Sequence, residues 1–138
     1  MFKKFLIPFT LLVSLLIVTT GCQKNDASIR IVGINVEKYD SKNKTYETHQ
    51  KITKKADIET IKHITEKTEQ NKNDETTTET DPDFQFNYLF KTNNTEIKTV
   101  TYQIKMSGEN ELLLGIEGIY HKLSSEDSSS LNRIIVAK

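Results

Sequence analysis

The sequence is poor in the residues that usually mark a chemical site. It has one cysteine and no tryptophan among 138 residues, so a disulfide within the chain is excluded. Basic and acidic residues number 19 each, which argues against a nucleic-acid-binding protein, because such proteins carry a basic surface. Apolar residues make up 36% of the chain, and many of them fall within the first twenty positions. The remainder has material for one small domain with a modest core.

Motifs of the common catalytic and nucleotide-binding sites are also missing. The sequence contains no HExxH, no GxSxG, no P-loop and no GxGxxG. Each of these motifs has a defined physical role at a metal ion, a nucleophile or a phosphate group. Their absence favours a protein that is not an enzyme and that uses no cofactor.

The amino terminus has the three parts of a secretory signal peptide. Lys3 and Lys4 form a basic start, Phe5–Val18 is a nearly continuous apolar run, and small residues follow it. As a helix, Phe5–Thr20 would span about 24 Å, which is less than the roughly 30 Å hydrocarbon core of a bilayer. We therefore predict that residues 1–21 are a cleaved signal peptide; an uncleaved membrane anchor is the alternative.

The cysteine makes this prediction more specific. Thr20, Gly21 and Cys22 resemble the end of the lipobox of bacterial lipoproteins, in which a diacylglycerol is linked to the cysteine and cleavage occurs before it. Thr19 departs from the lipobox, because leucine is usual at this position. The alternative to a lipobox is a cysteine that happens to lie near an ordinary cleavage site. A lone exported thiol has no disulfide partner, whereas two acyl chains would hold the protein stably at a membrane. Cys22 is therefore predicted to be the lipidation site.

The predicted location follows from this processing. The protein would be anchored at the outer face of the cytoplasmic membrane, with residues 22–28 as a short polar tether and residues 29–138 as a single domain. Acidic residues outnumber basic ones by two in residues 22–138, which speaks against a polybasic contact with anionic lipid. The sequence thus favours a domain that faces away from the bilayer.

Residue patterns within the predicted domain indicate an α+β fold, a mostly antiparallel sheet of about five strands with two helices packed on one face. Strand patterns occur in five segments: 29–38, 45–53, 84–90, 100–106 and 111–120. Helical spacing occurs in two segments: 53–68, which Thr53 can cap, and 124–137, which Ser124 or Ser125 can cap. Residues 69–81 contain no aliphatic or aromatic side chain and are predicted to be a polar low-complexity loop.

Aromatic residues recur at every second position in the predicted strand 84–90, through Phe90, and large apolar residues do so in the predicted strand 100–106. Phe84, Phe86 and Tyr88 share one face of the first, and Tyr102 shares a face with Ile104 in the second. Aromatic stripes can bind sugars or bases, but strict alternation along a strand favours a buried core face.

Four segments, "IVGINVEKY", "DIETIKHI", "DPDF" and "IYHKLSSED…LNRII", carry a resemblance to a known family. In this order they are similar to the small YhfM-like lipoproteins of spore-forming Gram-positive bacteria, over roughly residues 29–135. The resemblance implies a common fold and a lipid-anchored location. It implies no activity, because the family has no established one.

Three residues are candidates for a role beyond anchoring: Glu117, His121 and His63. Glu117 lies between two glycines in "GIEG", and glycines in a strand can mark a bulge or the close approach of another backbone. His63 would share one side of the first helix with Glu59 and Glu66. This spacing could hold a metal ion weakly, although a solvated helix face with ordinary ion pairs is favoured.

Three functions remain open from the sequence. The first is a lipid-anchored binding or interaction module without catalysis, whose candidate partner is an envelope protein that contacts a sheet edge or an uncovered sheet face. The second is a small envelope metal-binding or hydrolytic protein. The third is a structural or stress-related lipoprotein without a ligand.

Overall fold

A computed structural model describes residues 30–71, 75–92 and 95–137. Within them the chain forms eight strands and two helices: β1 (Arg30–Asp40), β2 (Thr45–Ile52), α1 (Lys55–Gln70), β3 (Glu75–Thr77), β4 (Phe84–Thr92), β5 (Thr95–Lys98), β6 (Tyr102–Met106), β7 (Leu112–Ile116), β8 (Ile119–Lys122) and α2 (Ser125–Leu131). A π-helical turn, Asn132–Val136, extends α2. The predicted signal peptide, Cys22 and the tether lie outside the described residues.

All of these strands join one antiparallel sheet. The strand order is β2-β1-β4-β6-β7-β8-β3. Two strands share one edge of β4: β6 pairs with the first residues of β4, and β5 pairs with its last residues. β5 and β6 thus follow one another along β4, and the register shifts by one residue across residues 99–101. Asn87 stabilises this interruption, because its side-chain amide donates to the Thr101 hydroxyl at 2.8 Å.

The core lies between one face of the sheet and the two helices. Its buried members from the helices and the loop before α2 are Ile58, Ile61, Ile64, Leu123, Leu131, Ile134 and Ile135. Its members from the sheet are Ile34, Val36, Ile52, Phe84, Phe86, Tyr88, Ile104, Leu112 and Leu114. Full burial of a side chain of this kind stabilises the fold by about 1.5–3 kcal/mol. The predicted α+β class is confirmed, as is the isoleucine stripe of the first helix.

The ends of the helices agree with the prediction for α2 and differ from it for α1. Ser124 caps α2, as predicted, since its hydroxyl accepts a hydrogen bond from the Asp127 amide at 3.1 Å. The N-cap residue of α1 is Lys54 rather than the predicted Thr53, and no side chain caps this end. α1 continues to Gln70, two residues beyond the predicted end. No helix in the described part of the chain is long and apolar enough to cross a membrane.

The sheet has more strands than the sequence predicts, eight in place of about five. Residues 111–120, predicted as one strand, contain β7, a tight turn and the start of β8. The turn is Glu117–Gly118, where φ is +53° and +83°, and such positive values are required in a type I′ two-residue hairpin turn. The sequence does not predict this turn, because Glu-Gly is not one of the usual turn pairs, Asn-Gly and Asp-Gly.

Two further strands lie in segments predicted as turn or loop. β5 lies between the predicted strands 84–90 and 100–106, where the sequence KTNNT at residues 91–95 predicts a turn, and β3 lies inside the polar tract 69–81. β3 pairs with β8 at the edge of the sheet, and all of its residues are exposed. Such a strand forms through backbone hydrogen bonds and buries no apolar side chain, so apolar patterning cannot predict it.

The face of the sheet opposite the helices has a polar cover. Residues 78–83, which connect β3 to β4, approach this face: the Tyr46 hydroxyl donates to the Pro82 carbonyl at 3.0 Å, and Lys105 donates to the Asp81 carbonyl at 2.7 Å. Tyr120 is buried on the same face. Residues 78–83 therefore cover part of the face opposite the helices.

Candidate functional site

A groove opens on the helix side of the sheet, next to the last turns of α1. Its volume is about 290 Å³, close to the lower end of the range for small-molecule sites. Its lining comes from α1, β6 and the β7–β8 hairpin: Thr65, Thr68, Glu69, Tyr102, Leu114, Gly115, Ile116, Glu117, Ile119 and His121. The groove exists because α1 ends at Gln70, whereas the sheet continues beyond it through β7 and β8 to β3.

The floor of the groove is apolar. Ile116 lies opposite Tyr102 in β6 and opposite Ile119 in β8. These three side chains therefore form one row across the face that elsewhere carries the core. Ile119 is 46% exposed. A concave surface with an apolar lining and a few polar groups is the usual form of a ligand site.

Gly115 allows the β7–β8 hairpin to pack closely. A Cβ atom at this position would lie 2.5 Å from the Ile119 carbonyl oxygen and 2.7 Å from the Tyr120 ring. A larger residue would therefore force the backbone or the ring to move. The structure thus shows a close approach of another backbone at the first glycine of "GIEG", while Gly118 belongs to the turn.

Glu117 lies on the rim of the groove, in the tight turn between β7 and β8. Its φ of +53° is in the left-handed region, which costs an L-residue roughly 1–2 kcal/mol. Gln103 supports the turn, because its side-chain oxygen accepts a hydrogen bond from the Gly118 amide at 3.0 Å. A carboxyl group is thus held at a strained backbone position beside a groove, and such strain is concentrated at functional sites.

Tyr102, at one end of the apolar row, and Glu69 of α1 together form a wall of the groove. The Tyr102 hydroxyl donates a hydrogen bond to the Glu69 carboxylate, and the ring stacks on Phe86 with centroids 5.1 Å apart. Burial, reinforced by this hydrogen bond, raises the pKa of Tyr102 well above its usual range. The hydroxyl therefore stays protonated and keeps the Glu69 carboxylate at the groove.

Tyr88 supports this wall from the core. Its ring packs edge-on against that of Tyr102, with centroids 5.6 Å apart. Its hydroxyl lies 2.7 Å from the Thr65 hydroxyl of α1. Burial raises the pKa of Tyr88 to about 12. The Tyr102 side of the groove is thus supported by a buried pair of hydroxyl groups.

Besides the Tyr102 hydroxyl, the ionisable groups in the lining are two carboxyls and one imidazole, from Glu69, Glu117 and His121. None of the described lining residues is lysine or arginine. Carboxylates beside an apolar floor favour a ligand that combines an apolar part with a positively charged part, because the charges are then complementary. The arrangement is suited to binding.

The structure brings two of the three predicted candidates together. Glu117 and His121 both line the groove, whereas His63 is exposed on α1. In the part of the chain that the structure describes, no group of three or more His, Cys, Asp or Glu side chains is placed to hold a metal ion. Glu59, His63 and Glu66 therefore do not form such a group; Glu66 has the Lys62 ammonium 3.9 Å away.

Sequence reasoning misses Glu69 and Tyr102 as groove residues. Glu69 falls in the polar tract predicted as a loop, although it belongs to the last turn of α1. Tyr102 is partly buried, as its alternation predicts, but its hydroxyl reaches Glu69 across 33 positions of sequence. No local pattern encodes a pairing at that separation.

Comparisons of the chain with protein-family models, with curated proteins and with solved structures gave no match. The resemblance to the YhfM-like lipoproteins therefore stays a prediction. The groove is interpreted from its own residues and geometry.

Proposed function

We propose that this protein is a bacterial lipoprotein anchored through Cys22 at the outer face of the cytoplasmic membrane, and that its domain is a non-catalytic binding module. The ligand occupies the groove beside α1. Its apolar part contacts the row formed by Tyr102, Ile116 and Ile119, and its cationic part lies near Glu69 and Glu117. The observation that carries this proposal is the open apolar floor with carboxyl groups along its rim.

The anchor is supported by the "VTTGC" ending of the apolar run. The resemblance to small lipoproteins points to the same location.

Mass spectrometry of the protein purified from membranes tests the anchor. We expect a mature chain that begins at Cys22 and carries the mass of a diacylglycerol. The Cys22→Ala variant should carry no lipid mass. An unmodified wild-type chain that begins at another residue would contradict the proposed location.

Calorimetric titration of residues 22–138 carrying Cys22→Ser tests the groove with two probes of similar size and opposite charge. Phenethylammonium should bind, weakly, and hydrocinnamate should bind at least about tenfold less tightly, a difference of about 1.4 kcal/mol. Glu117→Gln should weaken phenethylammonium binding about two- to fivefold, in line with the loss of one charge pair. Glu109→Gln, in the distant β6–β7 connection, should leave binding unchanged.

Equal affinity for the two probes, or an unchanged affinity in Glu117→Gln, would contradict a cation-selective groove. The metal-binding alternative predicts a different result. A rise in melting temperature with zinc ions that is lost in His121→Ala would replace the proposed binding module with a metal-binding protein.

A further inference from the structure

The outer edge of β5 is open. Among the described residues, β5 pairs with β4 and with no other strand. β7 does not reach β5, because its pairing with β6 ends where Ile116 lies opposite Tyr102. Every residue of β5 is exposed, and the Ile97 side chain is 50% exposed. An open strand edge of this kind can pair with a strand of another chain.

The backbone groups on this open edge belong to Glu96 and Lys98. The Thr99 amide donates to the Tyr88 carbonyl of β4 at 3.3 Å. Because the N–H and C=O groups alternate in direction along an antiparallel strand, those of Ile97 also point toward β4, and those of Glu96 and Lys98 point away from it. Each of these two residues therefore offers one donor and one acceptor to a further strand.

The side chains of β5 divide between the two faces of the sheet. Ile97 lies opposite Phe90, and Phe90 lies opposite Ile31. Phe90 and Ile31 pack against the core, so the Ile97 side chain points to the helix side. Glu96 and Lys98 point to the other face. Among the described residues Lys98 has no ion pair.

The sequence of β5, Thr-Glu-Ile-Lys, is complementary to itself. When two copies pair antiparallel about Ile97, the two Ile97 side chains lie opposite each other, and each Glu96 lies opposite Lys98 of the other copy. The outward backbone groups of Glu96 and Lys98 then meet as hydrogen-bonded pairs. Lys51 lies 3.4 Å from the Glu96 carboxylate, but the Glu96 side chain is still 52% exposed and accessible to a second cation.

Other antiparallel alignments of two β5 strands are unfavourable. A shift by one residue places Ile97 opposite Glu96 or Lys98, whose side chains belong to the other face of the sheet. A pairing centred on Glu96 or on Lys98 places like charges opposite each other. Charged residues on an edge strand usually prevent association. Here they disfavour the other alignments, so the edge is specific for a second copy of itself.

We propose that the protein forms a symmetric dimer in which β5 of one copy pairs antiparallel with β5 of another, so that the two sheets become continuous. The apolar row of Ile31, Phe90 and Ile97 then continues into the same row of the second copy, and Lys98 gains a carboxylate partner. This inference rests on neither the anchor nor the groove. The contact is small, so we expect a dissociation constant of about 0.1–1 mM, weaker than for interfaces of standard size.

Sedimentation equilibrium of residues 22–138 carrying Cys22→Ser tests the dimer, because this chain contains the whole described sheet and both helices. Lys98→Glu and Glu96→Lys each place like charges opposite each other and should weaken the dimer at least about tenfold. An equimolar mixture of the two variants restores both opposite-charge pairs and should dimerise about as tightly as the parent chain. Lys42→Glu, in the β1–β2 turn, is the matched control and should change nothing. Circular dichroism verifies that each variant folds.

A cysteine at the centre of the pairing gives an independent measurement. Residues that face each other in a non-hydrogen-bonded pair have Cα atoms about 4.5 Å apart, within the range that a disulfide can bridge. In the same chain, Ile97→Cys should therefore oxidise to a covalent dimer several-fold faster than Ile119→Cys or Met106→Cys, whose native side chains are 46% and 41% exposed. Adding Lys98→Glu should abolish this difference.

Either measurement can overturn the pairing. Equal oxidation rates at the three positions, or a chain that stays monomeric at about 1 mM, would exclude the dimer. A dimer that is insensitive to both charge reversals, or that the mixture of variants does not restore, would show a different interface and would exclude pairing through β5.

Discussion

One face of the sheet is closed beneath the two helices and open beside the end of α1. In the closed part, Ile34 and Ile61 are fully buried. In the open part, Ile119 is 46% exposed, although it has the same side chain and lies on the same face. The difference arises because α1 ends at Gln70, before it covers β8. Burial here is decided by the length of the covering helix as well as by the hydrophobicity of the strand.

The two parts also differ in backbone. In the closed part, α1 contributes Ile58, Ile61 and Ile64 from ordinary helical positions. The open part contains Gly115, where a Cβ would lie 2.5 Å from the Ile119 carbonyl oxygen, and Glu117, which has a positive φ. Stability is concentrated beneath the helices, whereas strain and open apolar surface are concentrated at the groove. This contrast is the physical reason for assigning binding to one part and folding to the other.

Truncation of isoleucine should separate the two parts most clearly. Ile61→Ala leaves a cavity in a fully buried site and should lower the free energy of unfolding by about 3–4 kcal/mol. Ile119→Ala removes a half-exposed side chain and should cost about 0.5–1 kcal/mol. Urea denaturation followed by circular dichroism measures both. Similar losses in the two variants would contradict the division into a closed and an open part.

Substitution of the two glycines tests how the open part is built. Gly115→Ala places a Cβ against a carbonyl oxygen and the Tyr120 ring, and should cost about 2–3 kcal/mol through overpacking. Gly118→Ala meets no atom within 4 Å but has a φ of +83°, so about 1 kcal/mol is expected from backbone strain alone. Thermal and urea unfolding of both variants would show the order. A smaller effect at Gly115 would argue against the tight hairpin packing.

High pH should destabilise the closed part through Tyr88. The pKa of its hydroxyl is raised by burial from 10.0 to about 12. The folded state therefore holds this proton more tightly than the unfolded state, so the stabilisation is complete below pH 10 and is lost as the pH rises to about 12. After allowance for partial exposure, a loss of about 1–2 kcal/mol is expected over this interval. Unfolding at several pH values measures it, and Tyr88→Phe should remove this contribution.

The other four tyrosines should also lose their protons only above pH 10. The pKa values of Tyr39, Tyr46, Tyr102 and Tyr120 are also raised, by burial or, at Tyr39, first by a hydrogen bond to Asp81. Ultraviolet titration of the folded protein should therefore show little tyrosinate at pH 10. A half-titrated signal at that pH, with the fold intact, would contradict these environments.

Relief of strain at the groove should give the smallest change in stability, and one of opposite sign. Glu117→Asn places a residue that tolerates positive φ in the turn, and should raise the free energy of unfolding by about 0.5–1 kcal/mol. Glu117→Gln keeps the strain and should leave stability nearly unchanged. Both variants remove the carboxylate and should weaken phenethylammonium binding. A stabilised variant that still binds fully would show that the strain serves no purpose in the groove.

The sequence predicts the closed part of the molecule better than the open part. The isoleucine spacing of α1, the Ser124 cap and the aromatic alternation of β4 are local patterns, and each has a local physical cause. The β7–β8 turn is missed because Glu-Gly is an unusual turn pair, and β3 is missed because an edge strand needs no apolar residue.

The candidate site is only partly accessible from sequence. "GIEG" draws attention to Glu117 because glycines flank a carboxylate within an apolar strand. The pairing of Tyr102 with Glu69 depends on where α1 ends over the sheet. That position results from tertiary packing, so no reading of neighbouring residues could supply it.

Amide chemical-shift mapping with phenethylammonium most directly tests whether the open part is a binding site. We expect the signals of Gly115, Glu117 and Ile119 to shift together and to saturate with one affinity, while those of Ile34 and Ile61 stay in place. Hydrocinnamate should leave all five nearly unchanged. Shifts confined to other surfaces, or equal shifts with both probes, would contradict the assignment of the groove as a cation-selective site.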